Sequence, residues 1–186
     1  RGLGDVYKRQ LFPRAHAVAY VMMAFRIAWF KVYHPLAFYA AYFSIRAKAF
    51  DLRIMTGDLN TQLKEFNRIK ALDRGASPKE KDLMSALEVS MEMYQRGYRF
   101  INVDIQHSGA RRFSIKDGAL LPPFLAIDSL GETVADAIVE ERETKPFTSL
   151  KDLQRRCKVS ATIIETMKEL KCCGDLPEDE QMSLFG

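Results

Sequence analysis

The stretch Ala126-Ile127-Asp128-Ser129-Leu130-Gly131-Glu132-Thr133-Val134-Ala135, followed by Ile138, decides how the second half of this chain folds. An apolar residue leads into a tight two-residue turn, and Leu-Gly then opens a helix with alanine near its start. Gly131 lets the backbone turn closely. The helix that begins here leaves its first N–H groups without intrahelical acceptors. With the helix dipole behind them, those groups can hold a phosphate through backbone contacts that read no sequence. Ser129, Leu130, Gly131, Glu132, Thr133 and Val134 are the candidate contact residues. A structural helix corner explains the same letters, and two features weigh toward it. The first turn position, commonly glycine, is Ser129, and Asp128 places a negative charge where a phosphate would approach.

The pattern is that of a helix-hairpin-helix, and helical signals surround it. Helices are expected over 132–143 and 149–156, and a last one is capped by Ser160, runs to Leu170 and stops at Gly174. Upstream, Ser77-Pro78-Lys79-Glu80 is a capping box with proline at the first helical position, opening a helix to Arg96 with Leu83, Leu87, Met91 and Tyr94 on one face. A further helix can span 57–72. Between these parts the period changes to two. Phe100-Ile101-Asn102-Val103-Asp104-Ile105 and Arg112-Phe113-Ser114-Ile115 alternate, Lys116-Asp117-Gly118 turns, and 119–121 can return. The expected fold is therefore mainly α with a small β element, ending in a disordered tail.

Residues 15–33 are helical and very apolar. The apolar run between His16 and Arg26 is too short to cross a bilayer, which predicts a core helix rather than a membrane span. Pro35 ends it, and a second aromatic helix follows over 36–47. Tyr20, Phe25, Trp29 and Phe30 are expected to pack on Phe38, Tyr39, Tyr42 and Phe43.

Charge divides the chain. Residues 11–76 hold ten Lys/Arg against four Asp/Glu, whereas 175–186 hold four acids and no base. A basic front suits a polyanion, and an acidic tail suits a different partner. Three cysteines, two of them adjacent, and three scattered histidines give no disulfide framework and no metal-ligand spacing. Nor is there a D-x-D pair on a strand, a P-loop or a G-x-S-x-G, so no catalytic residue is assigned. The tail D-L-P-E-D-E-Q-M-S-L-F-G cannot bury its acids and is expected to stay solvated. Its Gln181, Met182, Ser183, Leu184 and Phe185 either dock in a pocket on another protein or fold back onto the domain. Residues 1–10 lack the helical periodicity seen from residue 15 onward. They read as a foreign junction, and the chain reads as the C-terminal piece of something longer.

Three segments together carry a family resemblance. Phe12-Pro13-Arg14-Ala15-His16-Ala17-Val18-Ala19-Tyr20, leading to Arg26-Ile27-Ala28-Trp29-Phe30-Lys31-Val32-Tyr33-His34-Pro35, resembles the end of the fingers domain of bacterial replicative DNA polymerase III α subunits. Leu121-Pro122-Pro123-Phe124 with 127–135 resembles the helix-hairpin-helix of the domain after the fingers. Residues 181–185 resemble the C-terminal clamp-binding pentapeptide of the PolC type. The chain departs from the family at Asp128-Ser129, where Pro-Gly is usual, and at Met182, which replaces leucine.

The resemblance implies a division into fingers end (11–76), duplex-DNA-binding domain (77–174) and flexible tail (175–186). It implies that Phe12, Arg14, His16, Arg26 and Lys31 lie near the incoming dNTP or template, and that residues 181–185 bind the β sliding clamp. It also implies a cytoplasmic, nucleoid-associated parent enzyme, a DNA-directed DNA polymerase, usually with a 3′–5′ exonuclease. That enzyme's Mg2+ belongs to a palm domain outside this sequence, and no cofactor and no membrane partner is expected for the segment itself. The alternative is a non-catalytic, clamp-recruited DNA-binding adaptor, which has no need of the fingers-like helices.

Overall fold

A computed structural model describes residues 14–47 and 49–179 of the chain. Among the described residues there are eight α-helices and one two-stranded antiparallel hairpin. Helix α1 (Arg14–Tyr33) is followed without a loop by α2 (Pro35–Ile45), the break falling at His34 because Pro35 cannot continue the ladder. The short α3 (Leu52–Met55) and α4 (Leu59–Ala71) are capped by the side chains of Asp51 and Asp58. The expected helix over 57–72 is thus α4, with an unforeseen turn of helix before it.

α5 (Pro78–Gln95) begins with the expected capping box. Ser77 Oγ accepts the Glu80 N–H (3.3 Å), and Glu80 accepts the Ser77 N–H (2.9 Å). Its inner face is set by Ala86, Leu87, Ser90 and Met93. Of the expected stripe, Leu87 is fully buried, while Leu83, Met91 and Tyr94 are half-buried.

α2, α4 and α5 enclose a first core of Tyr39, Phe43, Met55, Ile69, Leu87, Met93, Phe100 and Leu120. Phe43, Phe50, Phe100 and Phe113 meet edge-on or tilted at its centre, with ring centroids 4.9–6.1 Å apart. A buried amide ties the helices: Gln62 donates to the Met55 carbonyl (3.0 Å) and accepts from Ser90 Oγ (2.7 Å). This core spans residue 77, because α4 and α5 pack face to face on either side of it.

The alternation over 100–105 does not make a strand. Phe100 alone bridges Leu120, while β1 (Ser114–Lys116) pairs with β2 (Ala119–Leu121) through the expected turn at Asp117 and Gly118. The backbone beyond Ile101 finds other partners. Ile105 N–H donates to the Cys172 carbonyl (3.0 Å), and Asp104 N–H donates to Ser108 Oγ (3.0 Å). Val103 and Ile105 still point inward, into a second core built by α6 (Glu132–Thr144), α7 (Leu150–Cys157) and α8 (Ala161–Glu169). Cys157, Cys172 and Cys173 are buried free thiols in this core, and burial pushes Cys157 up to about 11.

Two further expectations are corrected. No residue of α1 is buried, and Phe25, Trp29 and Phe30 stay 72%, 49% and 51% exposed. Apolar residues run all round α1, so α2 can cover only one stripe of it. By length and composition α1 is the one helix among the described residues able to cross a membrane. The second concerns residues 175–179, expected as a flexible tail: their acids stay exposed, but their backbone lies along α7 and α8.

Candidate nucleic-acid interface

The hairpin is anchored from below. Phe124–Ala126 form one turn of 3-10 helix, held by Phe124 N–H and Leu125 N–H donating to the carbonyls of Gly109 (2.9 Å) and Ala110 (3.1 Å). Arg142, from the far end of α6, lies over the Phe124 ring and donates to the carbonyls of Ile105 and Ser108, which locks the adjoining loop. Ile127 and Leu130 are buried at 2% and 5% exposure, leaving Asp128, Ser129, Gly131, Glu132 and Thr133 on the surface and Val134 half-buried. The alternation forces the tip outward: two apolar anchors hold two polar residues between them.

The turn's strain falls on Ser129 rather than on glycine. Ser129 has φ +65°, a left-handed conformation that disfavours any side chain, and this is why a glycine is the natural occupant. Gly131 has an ordinary φ of −76°, and a Cβ built there would meet nothing within 4 Å. The expectation that Gly131 makes the turn is therefore corrected. Its bare backbone serves no neighbour inside the protein, and what it leaves open is the approach from outside.

Gly131 is the N-cap of α6, and no side chain caps that helix. The first intrahelical bond is Ala135 N–H to the Gly131 carbonyl (3.0 Å), so the N–H groups of Glu132, Thr133 and Val134 lie ahead of the ladder. By contrast α3, α4, α5, α7 and α8 each have an Asp or Ser side chain on their first-turn N–H groups. The charge around the tip is less favourable to an anion. Arg111 pairs with Glu132 (2.6 Å) and Asp136 (2.5 Å), and its hydrogen bond holds the Asp136 carboxyl below the usual range. Asp128 stands exposed beside them.

The same turn occurs again between α7 and α8. Lys158 has φ +53°, Val159 is 2% exposed, and Ser160 is an N-cap with φ −69° and ψ 153°. At the first hairpin Ser129 has φ +65°, Leu130 is 5% exposed, and Gly131 has φ −76° and ψ 157°. This second hairpin, 158–160, escaped the sequence reading because no glycine marks it. A buried valine between a polar residue and a helix-capping serine was the available signal. It presents an exposed cation, Lys158, where the first presents Ser129.

Of the fingers-like candidates, Phe12 lies outside the described residues. Arg14, His16 and Arg26 are exposed on α1, and Lys31 is paired with Glu92 (2.7 Å) over the Phe38 ring. At 1.5 Å per residue Arg14 and Lys31 are about 25 Å apart along the helix. One triphosphate cannot touch them all. Residues 181–185 lie outside the described residues. Among those described, no three His, Cys, Asp or Glu side chains gather in a group that could hold a metal ion.

A buried-anchor turn joining two helices, with open N–H groups at the second, is the arrangement of a helix-hairpin-helix, and the helix-hairpin-helix motif family matches residues 97–182. Across 95% of its length the chain is homologous to part of DNA polymerase III of the PolC type. It is 49% identical over 177 residues to the DNA polymerase III PolC-type of Caldanaerobacter subterraneus subsp. tengcongensis, and 45% identical over 179 residues to that of Streptococcus pyogenes serotype M12. The chain spans only 13% and 12% of those two proteins' length.

Proposed function

We propose that this chain is the duplex-gripping and clamp-tethering segment of a bacterial replicative DNA polymerase, a cytoplasmic enzyme that works at the nucleoid. The observation that carries the reading is the hairpin at 127–134, with its uncapped helix and unfilled space at Gly131, inside a chain homologous to PolC-type polymerases over nearly its whole length. Duplex leaving the polymerase site would lay a phosphate on the N–H groups of α6, and a neighbouring phosphate on the second hairpin beside Lys158. Such contacts position the duplex and carry no sequence information.

The remaining assignments rest on the same reading. Residues 11–76 are the end of the fingers. Relatives roughly eight times as long supply enough chain to enclose the exposed apolar surface of α1. Phe12, Arg14, His16, Arg26 and Lys31 would then face template or incoming dNTP as a track along the helix rather than as one pocket. Nucleotidyl transfer, its Mg2+ and any proofreading belong to the rest of the enzyme. Residues 181–185 bind the sliding clamp, with Leu184 and Phe185 in an apolar pocket and Gln181 hydrogen-bonded at its rim.

A chimaera tests this. Residues 14–186 should replace the matching segment of a full-length PolC-type polymerase and support clamp-dependent, processive primer extension. Leu184→Ala with Phe185→Ala should abolish the response to clamp and leave distributive synthesis intact. Equal extension by both chimaeras with clamp present would overturn the tethering assignment, and no extension by either would overturn the polymerase assignment.

A further inference from the structure

The acidic segment 175–179 is bound to the domain in a defined way. The N–H groups of Leu150 and Lys151, at the start of α7, donate to the carbonyls of Pro177 (2.9 Å) and Glu178 (3.2 Å). Ser149 Oγ already takes the Asp152 N–H (3.0 Å), so the segment completes the first turn of α7, whose donors have no intrahelical partner. Leu176 is half-buried against the second core. Lys151 Nζ reaches Asp179 (2.6 Å), and Lys168 Nζ reaches Glu178 (2.8 Å). Exposed ion pairs like these contribute little on their own, so the backbone bonds and Leu176 fix the position.

We propose that residues 175–179 form a strap that sets where the C-terminal peptide leaves the domain; this rests on reading residues 181–185 as the clamp-binding peptide. The strap sits at the N-terminal end of α7, about 12 Å along the helix from the hairpin at Lys158. The strap's last residue is thus at the opposite end of α7 from the hairpin at Lys158. The peptide's tether is short. From Asp179, the last strapped residue, Gln181 is two residues away, a reach of roughly 7 Å, whereas a tail loose from Gly174 would sweep roughly 25 Å. A short tether keeps clamp and duplex at a fixed spacing, and lengthening it dilutes the peptide near its pocket.

Two measurements on the 186-residue chain test this, with a bacterial sliding clamp as the probe. In amide hydrogen exchange, Leu150 and Lys151 should be protected in the free chain and stay protected when clamp is bound. Loss of protection in either state overturns the strap. Inserting six Gly/Ser residues between Asp179 and Glu180 should leave affinity for free clamp unchanged. It should weaken binding to clamp loaded on primed duplex by roughly eightfold, from a tether growing from two to eight residues under a −3/2 power dependence. Unchanged affinity for loaded clamp also overturns the strap. If neither chain binds free clamp, the clamp-peptide reading itself fails, and the positioning role goes with it whatever the amides show.

Discussion

Ser129 and Lys158 hold the same left-handed backbone conformation, φ +65° and +53°, each one residue before a buried apolar side chain and two before a helix N-cap. Two hairpins of one geometry therefore open α6 and α8. They differ in what they offer an anion: the first has an uncapped helix amid carboxylates, the second a capped helix beside a lysine.

Ser129→Gly should stabilise the fold. A non-glycine residue in this conformation costs about 1–2 kcal/mol, and glycine's extra freedom in the unfolded chain returns roughly 0.5–1 kcal/mol of that. A rise in melting temperature of about 1–4 °C is expected in differential scanning calorimetry. A fall would mean that the serine hydroxyl stabilises the turn more than the strain opposes it.

Gly131→Val separates binding from folding. Its φ is ordinary and nothing lies within 4 Å of a Cβ there, so the fold should survive with only the loss of the N-cap preference for glycine, about 1 kcal/mol. Duplex affinity, read by fluorescence anisotropy, should drop several-fold, because the new side chain stands where a phosphate must approach the α6 N–H groups. Wild-type affinity in a folded variant would move the DNA contact away from this hairpin.

Asp128→Lys should strengthen duplex binding and steepen its salt dependence by about one unit of log–log slope for each further phosphate that the lysine neutralises. The carboxylate is exposed at the tip, so the change leaves packing alone. An unaltered slope would indicate that no phosphate passes Asp128.

Acid should weaken the fold in a defined window. Burial acts to raise the Asp104 carboxyl, but hydrogen bonds from Lys116, the Gln106 N–H and His107 override it and hold the group at about 2, against an ordinary 3.8. Asp152 is likewise pushed up by burial and held lower by Arg155, the Thr148 N–H and Arg156. The folded state thus binds fewer protons than the unfolded state near pH 3. The stabilisation is full above about pH 5 and is lost as pH falls through the lowered values. Urea melts between pH 5 and 2 should show declining stability in wild type and a shallower decline in Asp104→Asn. Replacing Asp152 with Ala removes one of the two carboxylates on Arg156, only 15% exposed, while Glu141 (3.0 Å) stays in place, and should cost about 1–3 kcal/mol.

Much of this was legible because its causes are local. The capping box at Ser77, the cap at Ser160, the Asp117-Gly118 turn and the hairpin at 127–134 are each written within a few consecutive residues. What the sequence did not reveal depends on distant partners. The 100–105 segment alternates like a strand, yet it is tied to the end of α8 some seventy positions away, by the Asn102 side-chain amide donating to the Leu170 carbonyl and the Ile105 N–H donating to the Cys172 carbonyl. The docked strap is invisible in its own letters, since its acceptors meet N–H groups of a helix beginning at Leu150. Lys158 hides a left-handed turn because lysine gives no conformational signal there. The aromatic content of α1 was plain, but not that none of it would be buried by the rest of the described chain.

The central claim is a phosphate grip without sequence reading, and a salt titration of duplex affinity tests it most directly. Anisotropy of the 186-residue chain on two duplexes of equal length and unrelated sequence should give superimposable lines of log affinity against log salt, both falling with the same negative slope. A flat response, or lines separated by sequence, would contradict the account.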